Sequence, residues 1–202
     1  MTSTPPSLLP LPQIDPFTRK MTEEAEHSPG GRLKRVVLIG AESTGKTTLA
    51  EGLAAHYETV WAPEYLRAFV EEKGALPEPG DTLLIAQRHR AQEEALARRA
   101  HRLLVYDTDL ISTCVYSRYY FGACPPVVER WSYERSADLY LLTDTDLPWT
   151  ADPGQRDGPD VRAELHALFQ RELEERGVPY ARVSGSLEER METAIQAIDA
   201  LL

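Results

Sequence analysis

Leu33-Lys34-Arg35-Val36-Val37-Leu38-Ile39-Gly40-Ala41-Glu42-Ser43-Thr44-Gly45-Lys46-Thr47-Thr48 runs an aliphatic stretch directly into a loop framed by two glycines. From Gly40 to Thr47 the spacing is G-x-x-x-x-G-K-[ST], a phosphate-binding loop between a strand (33–39) and a helix (45 to about 56). Glycines permit the tight turn that aims successive backbone N–H groups at a β-phosphate, and the helix N-terminus adds its dipole to that anion site. Gly40, Glu42, Ser43, Thr44, Gly45, Lys46, Thr47 and Thr48 are therefore the expected nucleotide-binding residues. Lys46 reaches the β and γ oxygens of ATP, and the Thr47 hydroxyl is a ligand for Mg²⁺.

Outward from this loop, strand and helix patterns alternate. Short strands are expected at 58–62, 103–106, 139–142 and 180–183, and helices at 81–102, 112–121, 160–176 and from Ser186 onward. Asp81 is placed as an N-cap, and Ser186-x-x-Glu189 as a capping box. Met191, Ala194, Ile195, Ile198 and Leu201 recur at helical spacing and form a core stripe. The alternation predicts an α/β fold of the P-loop NTPase class, with five parallel strands flanked by helices.

Residues 1–31 hold six of the 15 prolines and keep neither a helical nor an alternating period. They read as a disordered or loosely docked tail ahead of a domain at 32–202. The 202 residues carry a net charge of −10, which argues against a nucleic-acid partner dependent on a basic face. No stretch has the roughly 18 apolar residues of a membrane span, so a cytoplasmic protein is expected. Cys114 and Cys124 are too few for a disulfide framework and lack metal-ligand spacing. Assembly with further copies of the chain is left open.

Acids at strand ends supply the remaining chemistry. The strand at 103–106 runs into Asp107-Thr108-Asp109, beyond a carboxyl edge where open α/β sheets bind ligands. Asp107 is the candidate for holding a Mg²⁺-bound water and Asp109 for facing the acceptor; either could instead cap the following helix. Glu64, in Pro63-Glu64-Tyr65-Leu66-Arg67, is a candidate base for an attacking hydroxyl. Residues 149–159 have the composition of a mobile lid, and Arg156 within them is the candidate for stabilising a transferring phosphoryl group, with Arg162 second. Tyr65, Tyr116, Tyr119, Tyr120, Phe121 and Trp131 offer aromatic surface for a cationic ring, although helical aromatics are more often core. Gln87 and Gln92 could read a base edge, while the arginines between 88 and 102 look like a solvated helix face.

Taken together, the phosphate loop, Trp61 to Arg67, Asp107-Thr108-Asp109 with Thr113, Leu147 to Arg156 and Val178-Pro179-Tyr180 resemble the ribosylnicotinamide kinase domain of bacterial NAD-salvage proteins. The resemblance covers about 34–184. It implies phosphoryl transfer from Mg·ATP to the 5′-hydroxyl of nicotinamide riboside, with Glu64 and Asp109 facing the riboside and residues 152–156 in a lid. No H-x-G-H motif is present, so neither the adenylyltransferase activity nor the DNA-binding role of larger family members is expected. A kinase for another nucleoside, nucleotide or vitamin-like alcohol, and a regulatory ATPase acting through a protein partner, remain the alternative readings.

Overall fold

The structure, a computed structural model, describes residues 32–134, 136–149 and 159–202. Contacts divide the chain after Arg32, and every element below belongs to the unit Leu33–Leu202. Strands β1 Lys34–Ile39, β2 Trp61–Ala62, β3 Leu103–Asp107, β4 Leu139–Thr143 and β5 Tyr180–Val183 form one sheet in the order β2-β3-β1-β4-β5. Each neighbouring pair is parallel. The described helices are α1 Lys46–His56, α2 Tyr65–Lys73, α3 Thr82–Ala97, α4 Leu110–Phe121, α5 Pro126–Glu134, α6 Pro159–Arg176 and α7 Leu187–Asp199.

A parallel sheet covered on both faces needs strands with near-continuous apolar runs, and the three central strands have them at 36–39, 103–106 and 139–142. Val37 and Ile39 of β1, with Leu104, Tyr106, Tyr140 and Leu142, pack beneath Ile111 and Val115 of α4 and Leu165, Phe169 and Leu173 of α6. Val36 and Leu38, with Leu103, Val105, Leu139 and Leu141, pack against Leu49 and Leu53 of α1 and Ala194 and Ile198 of α7. The closing stripe read from the sequence is this second interface: Met191, Ile195 and Leu201 lie half-buried against it. A smaller cluster of Ala86, Leu110, Cys114 and Val128 joins α3, α4 and α5.

The structure corrects several local expectations. Residues 58–60 finish α1 rather than begin a strand: Thr59 N donates to Ala54 O at 2.9 Å, and Glu58 takes a left-handed φ of 52°. Asp81 closes a 3-10 turn instead of capping α3 with its side chain; its carboxylate accepts from Glu78 N at 2.7 Å and pairs with Lys73 Nζ at 2.6 Å. The helix expected at 81–102 ends at Ala97, and the one expected from Ser112 starts at Leu110. Two helices unforeseen in the sequence, α2 and α5, are present. The two thiols are free, with their sulfurs 3.4 Å apart.

Among the described residues no helix is long and apolar enough to cross a membrane.

Candidate active site

β1 ends at Ile39, and the chain turns through Gly40 to Gly45 before α1 begins. Gly40 has a φ of 148°, and a Cβ there would meet the hydroxyl and backbone of Thr143 on β4, so only glycine fits. Gly45 has a φ of 78° and Ser43 one of 54°, the left-handed turns that bring the loop back over the helix N-terminus. Thr44 Oγ1 lies 2.7 Å from Thr143 Oγ1 and 2.7 Å from Ala41 O, tying the loop to β4. Lys46 is almost fully buried, and its Nζ donates to Gly40 O at 3.1 Å and Ala41 O at 2.8 Å. The ammonium is thus held along the inner curve of the loop by two carbonyls, which are neutral partners that a phosphate oxygen outcompetes.

Asp107 stands beside the end of β1, its Cα in register with Leu38. Thr47 Oγ1 donates to Asp107 Oδ2 at 2.5 Å, while Asp107 Oδ1 is buried with no hydrogen-bond partner. A hydroxyl, a carboxylate and an unengaged carboxylate oxygen form a hard-oxygen set suited to Mg²⁺, which takes few protein ligands and keeps its waters. The next residue, Thr108, is β-branched yet holds a φ of 71° while its N–H donates to Leu38 O at 3.1 Å. Such a conformation is strained for threonine, and it separates the directions of the two acids.

Asp109 points back into the fold. Its Oδ1 accepts from Ile111 N at 2.9 Å and Ser112 N at 3.4 Å, capping α4, and its Oδ2 accepts from Tyr140 OH at 2.9 Å. Burial pushes its carboxyl up to about 6, against the hydrogen bonds from Tyr140 and the helix N-terminus. The helix-capping role held open in the sequence is the one its side chain performs here.

Glu64 takes the opposite course. It lies at the N-terminus of α2, half-buried, and lines a cavity bounded by α2, α3, α4 and the phosphate loop. Burial raises its carboxyl above the usual range and the charge of Asp107 raises it further, while Lys46 and Arg67 pull it down. Arg67 Nε is 3.5 Å from its Oε2. The cavity wall includes Glu42 of the loop, Thr108, and the Thr113, Tyr116, Tyr120 and Phe121 side of α4. Tyr116 and Tyr120 stack with centroids 6.1 Å apart.

Other expected site residues are placed elsewhere. Tyr119 OH donates to Glu164 at 2.9 Å, and Trp131 packs behind α4 with the guanidinium of Arg90 4.5 Å from its ring. Neither these nor Tyr65 lines the cavity, and Gln92 Nε2 is engaged by Pro63 O at 2.6 Å. Thr48 is exposed on α1. Arg162 is 5% exposed, with its guanidinium spent on Ser43 O, Thr145 O and Leu147 O, so it braces the loop and is not a mobile catalytic arm. Arg156 and residues 150–158 around it lie outside the described residues. The sequence reading passed over His89, Ser112 and Thr82, which also line the cavity. The recurrence Thr82, Ile85, His89 at i, i+3, i+7 was the available signal, since it marks one buried helix face.

With this geometry in place, known proteins offer a comparison. A family model described as AAA domain matches residues 35–190. The trifunctional NAD biosynthesis/regulator protein NadR of Escherichia coli (strain K12) is 31% identical over 157 residues, covering 75% of this chain and 38% of that protein. Its counterpart in Salmonella typhimurium is 29% identical over the same shares. The chain therefore spans a little over a third of the length of these curated relatives. Among solved structures, NadR protein in complex with NR superposes with a TM-score of 0.69 at 23% identity, over 83% of this chain and 49% of that one. Thymidylate kinase from Ehrlichia chaffeensis gives 0.62 at 14% identity, over 82% and 98%. Both likenesses are of fold: a five-stranded parallel sheet flanked by helices, as in P-loop kinases.

Proposed function

We propose, from the premise that this chain belongs to the AAA domain family, that it is an ATP-dependent kinase for the 5′-hydroxyl of nicotinamide riboside. One observation carries the reading: Glu64 lines the cavity, and the charges of Asp107 and Lys46 of the phosphate site act on the same carboxyl. A carboxylate shared by two adjoining sites is what transfer from a nucleotide to an alcohol requires. The relatives' connection with NAD biosynthesis and the NR-bound structure support a pyridinium riboside as the acceptor. The acidic, aromatic wall of Glu42, Glu64, Tyr116 and Tyr120 favours a cationic ring.

In this mechanism the loop amides from Ala41 to Thr47 and the α1 dipole bind the β-phosphate, and Lys46 transfers its ammonium from the Gly40 and Ala41 carbonyls to phosphate oxygens. Thr47 and Asp107 would hold Mg²⁺, which when bound neutralises charge on the β and γ oxygens. Glu64 orients the 5′-hydroxyl and takes its proton as the new O–P bond forms and the bond to the β,γ-bridging oxygen breaks, leaving ADP. Glu64 is suited to this because its raised pKa makes it a stronger base than an exposed glutamate. Arg156, from sequence, is assigned to the charge on the transferring group. Asp109 acts through α4, whose first turn it caps.

The direct experiment is ADP release by the purified chain with Mg·ATP and a panel of nicotinamide riboside, other nucleosides and no acceptor, with the product identified by mass. Turnover is expected with nicotinamide riboside and to be lost in Lys46→Ala. Turnover with a different nucleoside and none with nicotinamide riboside would reject the acceptor, and acceptor-independent hydrolysis alone would reject the kinase.

A further inference from the structure

Cys114 and Cys124 take no part in the site described above, yet the fold brings them together. Cys114 of α4 is buried, and Cys124, ten residues further on, is half-buried. Gly122 ends α4 with a left-handed φ of 76°, and Ser117 Oγ donates to Ala123 O at 2.8 Å, so the chain doubles back through a fixed turn. Cys124 Sγ then donates to Cys114 Sγ at 3.4 Å, beside Leu110 of α4 and Val128 of α5. A buried cysteine is ordinarily an inert small hydrophobe. Here two thiols face each other, and one belongs to a residue that is only half-buried.

Their environments differ. The hydrogen bond from Cys124 lowers the pKa of Cys114; burial opposes it, and Ser132, Arg118 and Arg176 add to the lowering. The same hydrogen bond, with burial, raises the pKa of Cys124. Thiolate character therefore collects on the inner sulfur, while the proton of the pair stays on the outer one.

We propose that Cys114 and Cys124 form a redox-active dithiol that takes low-molecular-weight disulfides, with Cys124 as the point of entry and Cys114 as the resolving thiol. Cys124 attacks one sulfur of the incoming disulfide, and its proton passes along the existing hydrogen bond to the Cys114 thiolate. One thiolate leaves, and Cys124 is held in a mixed disulfide. Cys114 then gives its proton to solvent, attacks Cys124 Sγ and expels the second thiolate. One disulfide forms in the chain as the incoming one is reduced to two thiols, and the two cysteine protons balance the two leaving groups. The inner sulfur is already in place for the second step, which makes that step effectively intramolecular.

The same helix lines the acceptor cavity with Thr113, Tyr116 and Tyr120. Bond formation draws the sulfurs together from 3.4 Å to about 2.05 Å, and a close-packed interior passes such a shift to its neighbours. The disulfide thus displaces the α4 wall of the cavity and weakens binding of the acceptor, a consequence that rests on the proposed function.

The test incubates the reduced chain with oxidised glutathione and follows it by thiol titration and intact mass. Wild type is expected to lose both thiols and two hydrogens, to retain no glutathione, and to return to the dithiol in dithiothreitol. Cys114→Ala should stop at a glutathione adduct on Cys124, and Cys124→Ala should keep its buried thiol at least about tenfold longer than wild type keeps its pair. A wild type that keeps both thiols or ends as a stable adduct would overturn the site, as would a Cys124→Ala variant oxidised at the wild-type rate. The wild-type result carries the test where a variant does not fold. With Mg·ATP, the oxidised chain should show an acceptor KM raised by about 3–10-fold and an unchanged KM for ATP. An unchanged acceptor KM would overturn the link to α4 and leave the thiol site. A disulfide that forms in a chain inactive on every acceptor would reject the proposed function and that link together, with the thiol site standing.

Discussion

Thr47 donates its hydroxyl proton to Asp107 across 2.5 Å, joining the first turn of α1 to the end of β3. The contact uses one oxygen of the carboxylate and leaves the other, Oδ1, buried and without a partner. A buried anionic oxygen is costly in isolation and is offset when a cation approaches, which supports the proposed metal role of the pair. Asp107→Asn keeps the shape and removes the charge. It is expected to weaken Mg²⁺ activation by about 10–100-fold, read as a rightward shift in a magnesium titration of turnover. An unshifted titration with full activity at saturation would exclude Asp107 from the metal site.

Glu64 should set the acidic limb of the pH–rate profile. It serves as a base only when ionised, and burial with the Asp107 charge raises its pKa from the ordinary 4.5. The rate should therefore climb with pH along a limb displaced above 4.5. Glu64→Gln should remove that limb and lower kcat by about 10²–10⁴-fold, while ATP binding measured by calorimetry changes little. A glutamine variant that keeps the wild-type limb would assign it to another group.

Asp109 makes a contrasting prediction, about stability. Its folded pKa of about 6 stands above the ordinary 3.8. Between those values the folded chain holds a proton that the unfolded chain has released, so stability falls as pH rises through the window and levels off above about 6. Two units correspond to about 3 kcal/mol. Asp109→Asn should flatten this slope in denaturant melts between pH 4 and 6. Asp109→Ala, which strips the cap from α4 and the acceptor from Tyr140, should be about 1–3 kcal/mol less stable than the asparagine variant. An alanine variant that is inactive yet as stable as wild type would return Asp109 to the reacting atoms.

These opposite roles show where the sequence was informative. The phosphate loop and the apolar strands were readable because both are local: a spacing dictates the loop, and burial on two faces dictates an unbroken aliphatic run. Asp107 and Asp109 are the same residue type two positions apart, and what separates them is the left-handed φ of Thr108, which a β-branched residue does not advertise. α2 escaped notice although Leu66, Phe69 and Val70 recur at helical spacing, because it is only nine residues long and buries only Phe69. α5 carried a usable sign, proline at its first position after Pro125, that was passed over. His89 was hidden among arginines on α3, and only its spacing from Thr82 and Ile85 marks the inward face. The bracing of the loop by Arg162 and by Arg190 of α7 was not legible for a different reason, since the Ser43 and Thr44 carbonyls they hold are brought near them only by the fold.

Those arginines supply the last prediction. Arg190 of α7 is 1% exposed and donates to Thr44 O, Asp144 O and Gly185 O, with Asp146 as its ionic partner. Arg162 of α6 reaches Ser43 O from the other side, and burial lowers its pKa, with Asp146 opposing and Arg190 adding to that shift. Carbonyls of the phosphate loop at Ser43 and Thr44 are thus fixed from two helices. Arg190→Met fills the volume but removes every donor, leaving three carbonyls and Asp146 without this partner. A loss of about 1–3 kcal/mol is expected in urea unfolding, as for leaving buried carbonyls unpaired, because the Asp146 carboxylate left behind is partly exposed. Because the loop itself is loosened, KM for ATP should rise more than KM for the acceptor. A methionine variant with wild-type stability and wild-type KM for ATP would show that the loop holds its shape without Arg190.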